Sequence, residues 1–117
     1  MQFRVEMESS GRLHCRFADG VKEAEISAYD GATSLALLEA AQKDLETDGC
    51  GECYWQMATG EYRLLLRRAE NDVLRIAVLW ANGIVTGWEN VFWTECPLAE
   101  WNTEVHRELD MHRSRIA

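Results

Sequence analysis

The stretch that most constrains the fold is a strongly apolar segment, residues 61–80, which reads as two strands joined by a polar turn. Side chains alternate between the two faces of a strand, so the first arm places Tyr62, Leu64 and Leu66 on one face. The second arm does the same with Leu74, Ile76, Val78 and Trp80. The connecting residues 69–72 are types that tolerate turn geometry. We therefore predict a central β-hairpin with one face that other elements must cover.

The opposite face of this hairpin is only half polar. Leu65, Val73 and Leu79 lie there, between arginines. Such a face is typical of a sheet whose back is partly covered by a loop or by another subunit. A structural homodimer of unknown role is therefore one hypothesis for this chain.

Three alternating segments precede the hairpin, at residues 3–7, 13–17 and 22–29, and predict an antiparallel meander. Asp19-Gly20 joins the last two, and we expect a tight turn with φ > 0 at both positions. A helix is predicted over residues 33–47, with Thr33 or Ser34 as its N-cap and Gly49 just beyond its end. A short strand at residues 53–57 then leads into the hairpin.

After the hairpin, a strand is predicted at residues 90–95 and a final helix from Pro97, with an apolar stripe that includes Trp101 and Val105. The fold class is therefore α+β: a mainly antiparallel sheet of about six to seven strands with two amphipathic helices on one face. Residues 1–117 form a single domain. We expect four tryptophans on regular elements to be core residues: Trp55, Trp80, Trp93 and Trp101.

The net charge is −8, from 12 basic and 20 acidic residues. This charge disfavours nucleic acid as a partner, because phosphate binding needs a positive surface, and it favours a basic protein partner. The sequence contains no apolar run of membrane-spanning length and no signal-peptide core. We expect a cytoplasmic protein whose 4 cysteines are reduced.

Cys50 and Cys53 form a C-x-x-C pair that admits three interpretations. A redox dithiol is disfavoured, because the pair follows a helix C-terminus, where the dipole raises thiol pKa values. A zinc site would need two further ligands, and Cys15 and Cys96 would have to approach. A structural or incidental pair is the interpretation we prefer, with no metal and no other cofactor.

No catalytic group is evident among the histidines. His14 and Cys15 are adjacent on a strand, so they face opposite sides and cannot form a dyad. His106 and His112 are six residues apart, on different faces of a helix. A glycine-rich phosphate loop is also absent from the sequence. We therefore expect a protein that is not an enzyme.

Two acidic stretches remain, one around the end of the first helix and one late in the chain. The late stretch contains no Lys or Arg and carries Glu89, Glu95, Glu100 and Glu104. These residues are either a solvated surface or an anionic patch that steers a basic partner. Trp88 lies in an irregular segment beside Ile84, and is either an interface anchor or a lid over the core. Our partner-binding candidates are Ile84, Trp88, Glu89, Glu95, Glu100 and Glu104.

The chain resembles small acidic bacterial proteins of unknown function, including immunity proteins that neutralise toxins of rival cells. The resemblance is carried by the Tyr62-x-Leu64-x-Leu66 arm, the Leu74-x-Ile76-x-Val78 arm, and the aromatic strand that feeds a Pro97-led helix. It implies a non-enzymatic inhibitor that binds a basic partner protein through an acidic surface. The alternatives are a metal- or thiol-dependent protein using Cys50 and Cys53, and the homodimer.

Overall fold

A computed structural model describes residues 1–83 and 87–116 of the chain. These residues form seven strands and two α-helices: β1 Gln2–Met7, β2 Leu13–Ala18, β3 Glu23–Ala28, α1 Gly31–Asp48, β4 Cys50–Met57, β5 Gly60–Arg68, β6 Val73–Asn82, β7 Glu89–Pro97 and α2 Leu98–Met111. The predicted α+β class, element order and antiparallel pairing are confirmed. The strands divide into a three-stranded sheet, β1-β2-β3, and a four-stranded sheet, β4-β5-β6-β7.

The predicted hairpin forms the centre of the four-stranded sheet. Leu64 pairs with Val78 and Leu66 with Ile76, and all four side chains are buried. Arg63 and Leu79 pair on the opposite face, as alternation requires. The hairpin turns at residues Glu70–Asp72, where Asn71 (φ 61°) and Asp72 (φ 54°) adopt the left-handed backbone conformation.

One core lies between the inner faces of the two sheets and the two helices. Its largest fully buried side chains are Trp55 and Trp101. Each indole N–H has a partner: Trp55 donates to the Ser34 carbonyl at 3.1 Å, and Trp101 donates to Gln42 Oε1 at 2.8 Å. Gln42 is itself buried and donates to Asn102 Oδ1. The buried side-chain amide of Gln42 therefore joins the two helices, because it both donates and accepts hydrogen bonds to α2.

Helix α2 also covers the edge of the three-stranded sheet. Glu108 Oε1 accepts a hydrogen bond from the Val5 N–H at 2.6 Å, and Glu104 Oε1 accepts one from the Phe3 N–H at 3.3 Å. The His112 ring contacts the Val5 carbonyl through Nε2 at 3.1 Å. Side chains four residues apart on a helix lie on one face, so Glu104, Glu108 and His112, which follows the last residue of α2, meet the backbone of β1 at Phe3 and Val5. They occupy hydrogen-bonding groups that an edge strand would otherwise expose.

The turn between β2 and β3 joins the two sheets. Asp19 Oδ1 accepts hydrogen bonds from the Val21 and Lys22 N–H groups, and its Oδ2 accepts one from Thr94 on β7. These bonds lower the pKa of Asp19 to about 2, and the bond from the Lys22 backbone N–H has the largest effect. The Lys22 ammonium donates to the Trp93 carbonyl on the same strand.

Several local predictions were wrong. The N-cap of α1 is Asp30, whose Oδ1 accepts from the Thr33 N–H at 3.0 Å, so the helix begins earlier than Thr33 or Ser34. In the turn after β2 the left-handed region is occupied by Gly20 (φ 94°), and Asp19 is not in it. Trp93 is 45% exposed and Trp80 is half-buried, so these two tryptophans are not core residues.

The end of α1 follows the prediction. Gly49 adopts φ 82°, the left-handed conformation that favours glycine, and its N–H donates to the Leu45 carbonyl. No helix within the described ranges is long and apolar enough to cross a membrane.

Candidate functional site

The outer faces of the two sheets differ in chemistry. The outer face of the three-stranded sheet is mainly polar in its paired region, with Ala18 beside Arg4, Glu6, His14, Arg16, Glu23, Glu25 and Ser27. The outer face of the four-stranded sheet carries aromatic and aliphatic side chains together with arginine. We call it the aromatic face and define it by Tyr54, Arg63, Leu65, Ala77, Leu79, Trp88, Val91 and Trp93.

The centre of the aromatic face is a guanidinium shared between two rings. Arg63 lies 5.6 Å from the Tyr54 ring centroid and 5.7 Å from that of Trp88, within cation–π range. The two rings are 6.2 Å apart. Glu52 Oε2 accepts from Arg63 at 2.7 and 3.2 Å, and this hydrogen bond raises the pKa of the guanidinium. The Arg63 guanidinium is therefore held by one carboxylate and two rings.

The strand register explains this cluster. Tyr54 on β4 pairs with Arg63 on β5, which pairs with Leu79 on β6, so the three side chains lie in one row across the sheet. Trp88 precedes β7, at the far side of the sheet, and its ring nevertheless reaches Tyr54. Trp88 therefore lies over the outer face, and it stays 39% exposed.

The β7 side of the face is formed by Val91 and Trp93. The register shifts between Val78 and Leu79, and this irregularity lies opposite the start of β7, where Val91 is exposed. The Lys22 ammonium lies 5.4 Å from the Trp93 ring centroid. The turn between β2 and β3 therefore contacts one side of Trp93 through Lys22, and Trp93 remains 45% exposed.

At one end of the face a depression of about 1190 Å³ is lined by charged residues and by Cys50. Arg67 pairs directly with Arg75 across the strands, and Glu95 accepts from Arg75 at 3.4 Å. This end therefore carries both signs of charge.

The six partner-binding candidates fall in different places. Trp88 is part of the aromatic face, Glu95 adjoins it, and Glu89 is the first residue of β7. Glu100 and Glu104 lie on α2. Glu100 Oε2 is 3.6 Å from the terminal amine, and Glu104 is turned inward to β1. Ile84 lies outside the described residues. The structure leaves the binding role of all six as a prediction.

The cysteine pair does not form a shared ligand set. Cys53 is buried and Cys50 is exposed, because positions three apart on strand β4 point to opposite faces. Burial raises the pKa of the Cys53 thiol to about 12. Residues 1–83 and 87–116 contain no group of three or more His, Cys, Asp or Glu side chains placed to hold a metal ion.

The histidines make different contacts from those considered in the sequence. Cys15 is buried and His14 lies on the outer face, so the two form no dyad. His14 instead contacts Glu8 and Ser27. His106 contacts Glu46 of the other helix.

Sequence reasoning missed Tyr54, Arg63 and Trp93 as site residues. The alternation signal was present: Tyr54 follows the buried Cys53 and precedes the buried Trp55, so it must face outward. Trp93 similarly lies between the buried Phe92 and Thr94. The expectation that large aromatic side chains belong to the core outweighed this signal.

No protein-family model matches the chain, and no significant match is found to a curated protein or to a solved structure. The resemblance to immunity proteins therefore stays a prediction, and the argument for function rests on the chain's own geometry.

Proposed function

We propose that this chain is a binding protein, that its partner is another protein, and that the aromatic face is the contact surface. The observation that supports this most is the contrast between the two outer faces. The three-stranded sheet presents mainly charged and polar side chains, with Tyr29 just beyond its end, whereas the four-stranded sheet exposes Tyr54 and Trp88 around Arg63 and Trp93 beside Lys22. Trp, Tyr and Arg are the residue types enriched at binding hot spots.

The fixed geometry of the aromatic face favours binding. Ordering a side chain at an interface costs about 0.5–1.5 kcal/mol, and this cost is smaller where the side chain is already ordered. Arg63 is held by Glu52 and by two rings, and Trp93 by Lys22. Two of the anchors are therefore positioned in the unbound protein.

The charge of the chain favours a cationic partner. At −8, the chain attracts basic proteins at long range and speeds their association at low salt. Glu95 lies at the end of the face and Glu89 opens strand β7, where carboxylates can meet basic side chains of the partner. An immunity-type inhibitor of a basic toxin domain is the most concrete form of this proposal.

The test compares three immobilised proteins: the native chain, a face variant Tyr54→Ser/Trp93→Ser, and a control variant Arg16→Ser/Glu25→Ser on the polar face. Both variants change exposed residues, so both should fold. We expect a basic protein from the native source to bind the native chain and the control, and to be lost from the face variant. Binding should weaken as salt rises, because exposed charges are screened.

The same bound set on all three proteins would show that the aromatic face is not the contact surface. Sedimentation of the native chain and the face variant distinguishes the homodimer. A concentration-dependent dimer that the face variant abolishes would identify the partner as a second copy of this chain.

A further inference from the structure

Three side chains on the three-stranded sheet form a hydrogen-bonded chain. Ser27 Oγ is 2.8 Å from His14 Nδ1, and His14 Nε2 is 2.7 Å from Glu8 Oε1. His14 on β2 and Ser27 on β3 are directly paired in the register, so both point to the outer face. Glu8 reaches His14 from the connection that follows β1. The arrangement thus draws on three separate parts of the chain.

The partners fix where the protons lie. Glu8 accepts hydrogen bonds from His14 and from Ser10, and these bonds lower the pKa of its carboxyl group. An ionised carboxylate can only accept, so His14 Nε2 must carry the proton that it shares with Glu8. In the neutral imidazole Nδ1 is then an acceptor, and Ser27 Oγ donates to it. This is the direction that general-base activation of a hydroxyl requires.

A cation lies beside this chain of hydrogen bonds. Arg12 immediately precedes β2 and Tyr29 immediately follows β3, just beyond the paired residues, and the Arg12 guanidinium lies 4.9 Å from the Tyr29 ring centroid. Arg12 is two residues from His14 and Tyr29 is two residues from Ser27 along the chain, so this positive charge favours an oxyanion that forms at Ser27.

We propose that Ser27 is an activated nucleophile that accepts the acyl group of small activated esters, with His14 as its general base and Glu8 as the residue that orients His14. In the acylation step, Ser27 Oγ bonds to the ester carbonyl carbon and its proton passes to His14 Nδ1. The carbon–oxygen bond to the leaving alcohol then breaks, and that alcohol takes the proton from His14. The Nε2 proton remains shared with Glu8, so no oxidant, metal or other co-reactant is needed.

The surroundings of Ser27 set the substrate class. Ser27 is half-buried on an open sheet surface. The depression beside His14 is lined by the charged residues Arg4, Glu6, Glu8 and Arg16 and by apolar side chains that include Val5, Met7 and Met111. Small acyl groups such as acetyl can approach Ser27 from this open surface. The reaction is separate from the proposed binding function, because it uses the other sheet.

The test measures acetylation of the purified chain by p-nitrophenyl acetate, followed by peptide mapping. We expect the acetyl group on Ser27 and none on the exposed Ser114 at the same ester concentration. His14→Gln should slow acetylation by about 100-fold, the usual contribution of a general base. His106→Gln is the matched control, because His106 also bonds a glutamate at 2.7 Å but touches no serine, and it should leave the rate unchanged.

A second variant separates activation from folding. Glu8→Gln preserves the size of the side chain. The substitution should slow acetylation by about tenfold, since Glu8 only orients the general base His14. Circular dichroism of each variant establishes that the sheet is intact. If Ser27 reacts no faster than Ser114, or if His14→Gln and His106→Gln give the same rate, the proposal is overturned and the three side chains serve only to hold the β1–β2 connection.

Discussion

The glutamates of α2 provide a graded test of what the acidic residues do. Glu100, Glu104 and Glu108 are spaced four apart on one helix, so they lie along one face. Their side chains are 54%, 13% and 3% exposed. The acceptor distance to the β1 backbone shortens from 3.3 Å at Glu104 to 2.6 Å at Glu108. Replacing each glutamate in turn by alanine measures how much each carboxylate contributes to stability.

The expected losses follow from burial. Glu108→Ala leaves the Val5 N–H buried without a partner, which costs about 1–3 kcal/mol, and removes a charge-assisted bond of similar size. We therefore expect a loss of about 2–4 kcal/mol in the free energy of unfolding. Glu104→Ala loses a longer, partly exposed bond to Phe3 and should cost about 1 kcal/mol. Glu100→Ala changes an exposed residue and should stay within about 0.5 kcal/mol.

Urea unfolding followed by tryptophan fluorescence measures the series. Amide hydrogen exchange adds a local readout, because the Val5 N–H should exchange faster in Glu108→Ala than in the native chain. Glu108→Gln keeps an acceptor for Val5 and should recover more than half of the loss. Three equal losses, or an unchanged Val5 exchange rate, would refute the assignment of these carboxylates to the edge of β1.

Three further outcomes can be measured on the same chain. The folded-state pKa of Asp19 is about 2, below its ordinary value of 3.8. The ionised carboxylate therefore stabilises the fold at pH values above 3.8, and this stabilisation is lost as the pH falls toward 2. The unfolding midpoints of the native chain and of Asp19→Asn should converge between pH 5 and about 2. Gln42→Ala should cost about 2–4 kcal/mol in urea unfolding, because it leaves the Trp101 N–H unpaired, and Trp101→Phe in the same background should cost less than it does alone. A thiol reagent should label Cys50 alone in the folded chain and all 4 cysteines in denaturant, since burial raises the pKa values of the other thiols: Cys15, Cys53 and Cys96.

The parts of the fold that the sequence predicted are those in which one local pattern decides the outcome. The period of two in residues 61–80 gave the hairpin and its inward face, because a slip of one residue would expose every apolar side chain. Gly49 gave the helix end, because few residues accept a left-handed backbone. Asp30 was missed as the N-cap because Thr33 and Ser34 are also good N-cap residues. Which residue caps the helix depends on the position at which β3 ends.

The parts that the sequence did not predict depend on contacts between distant residues. Nothing local indicates that β3 and β4 belong to different sheets, or that Asp19 would bond Thr94. The same holds for Glu8, His14 and Ser27, whose contact requires the β2–β3 register and the connection that follows β1. The aromatic face was partly accessible, since alternation gave its outward residues, but their exposure depends on the absence of a covering layer from the described chain.

The negative charge of the chain has two separate roles that composition cannot distinguish. Glu104 and Glu108 bond the β1 backbone, and Glu46 bonds Gln42 on its own helix and His106 on α2, so these carboxylates hold the fold. Such groups still contribute to the long-range field, because a buried or paired carboxylate adds to the net charge of −8. They cannot provide contacts to a partner without giving up their present bonds. Charge reversal at Glu104 or Glu108 would therefore alter stability together with the long-range field, whereas the proposed binding function predicts that a change at the exposed Trp93 or Tyr54 alters binding with little change in stability.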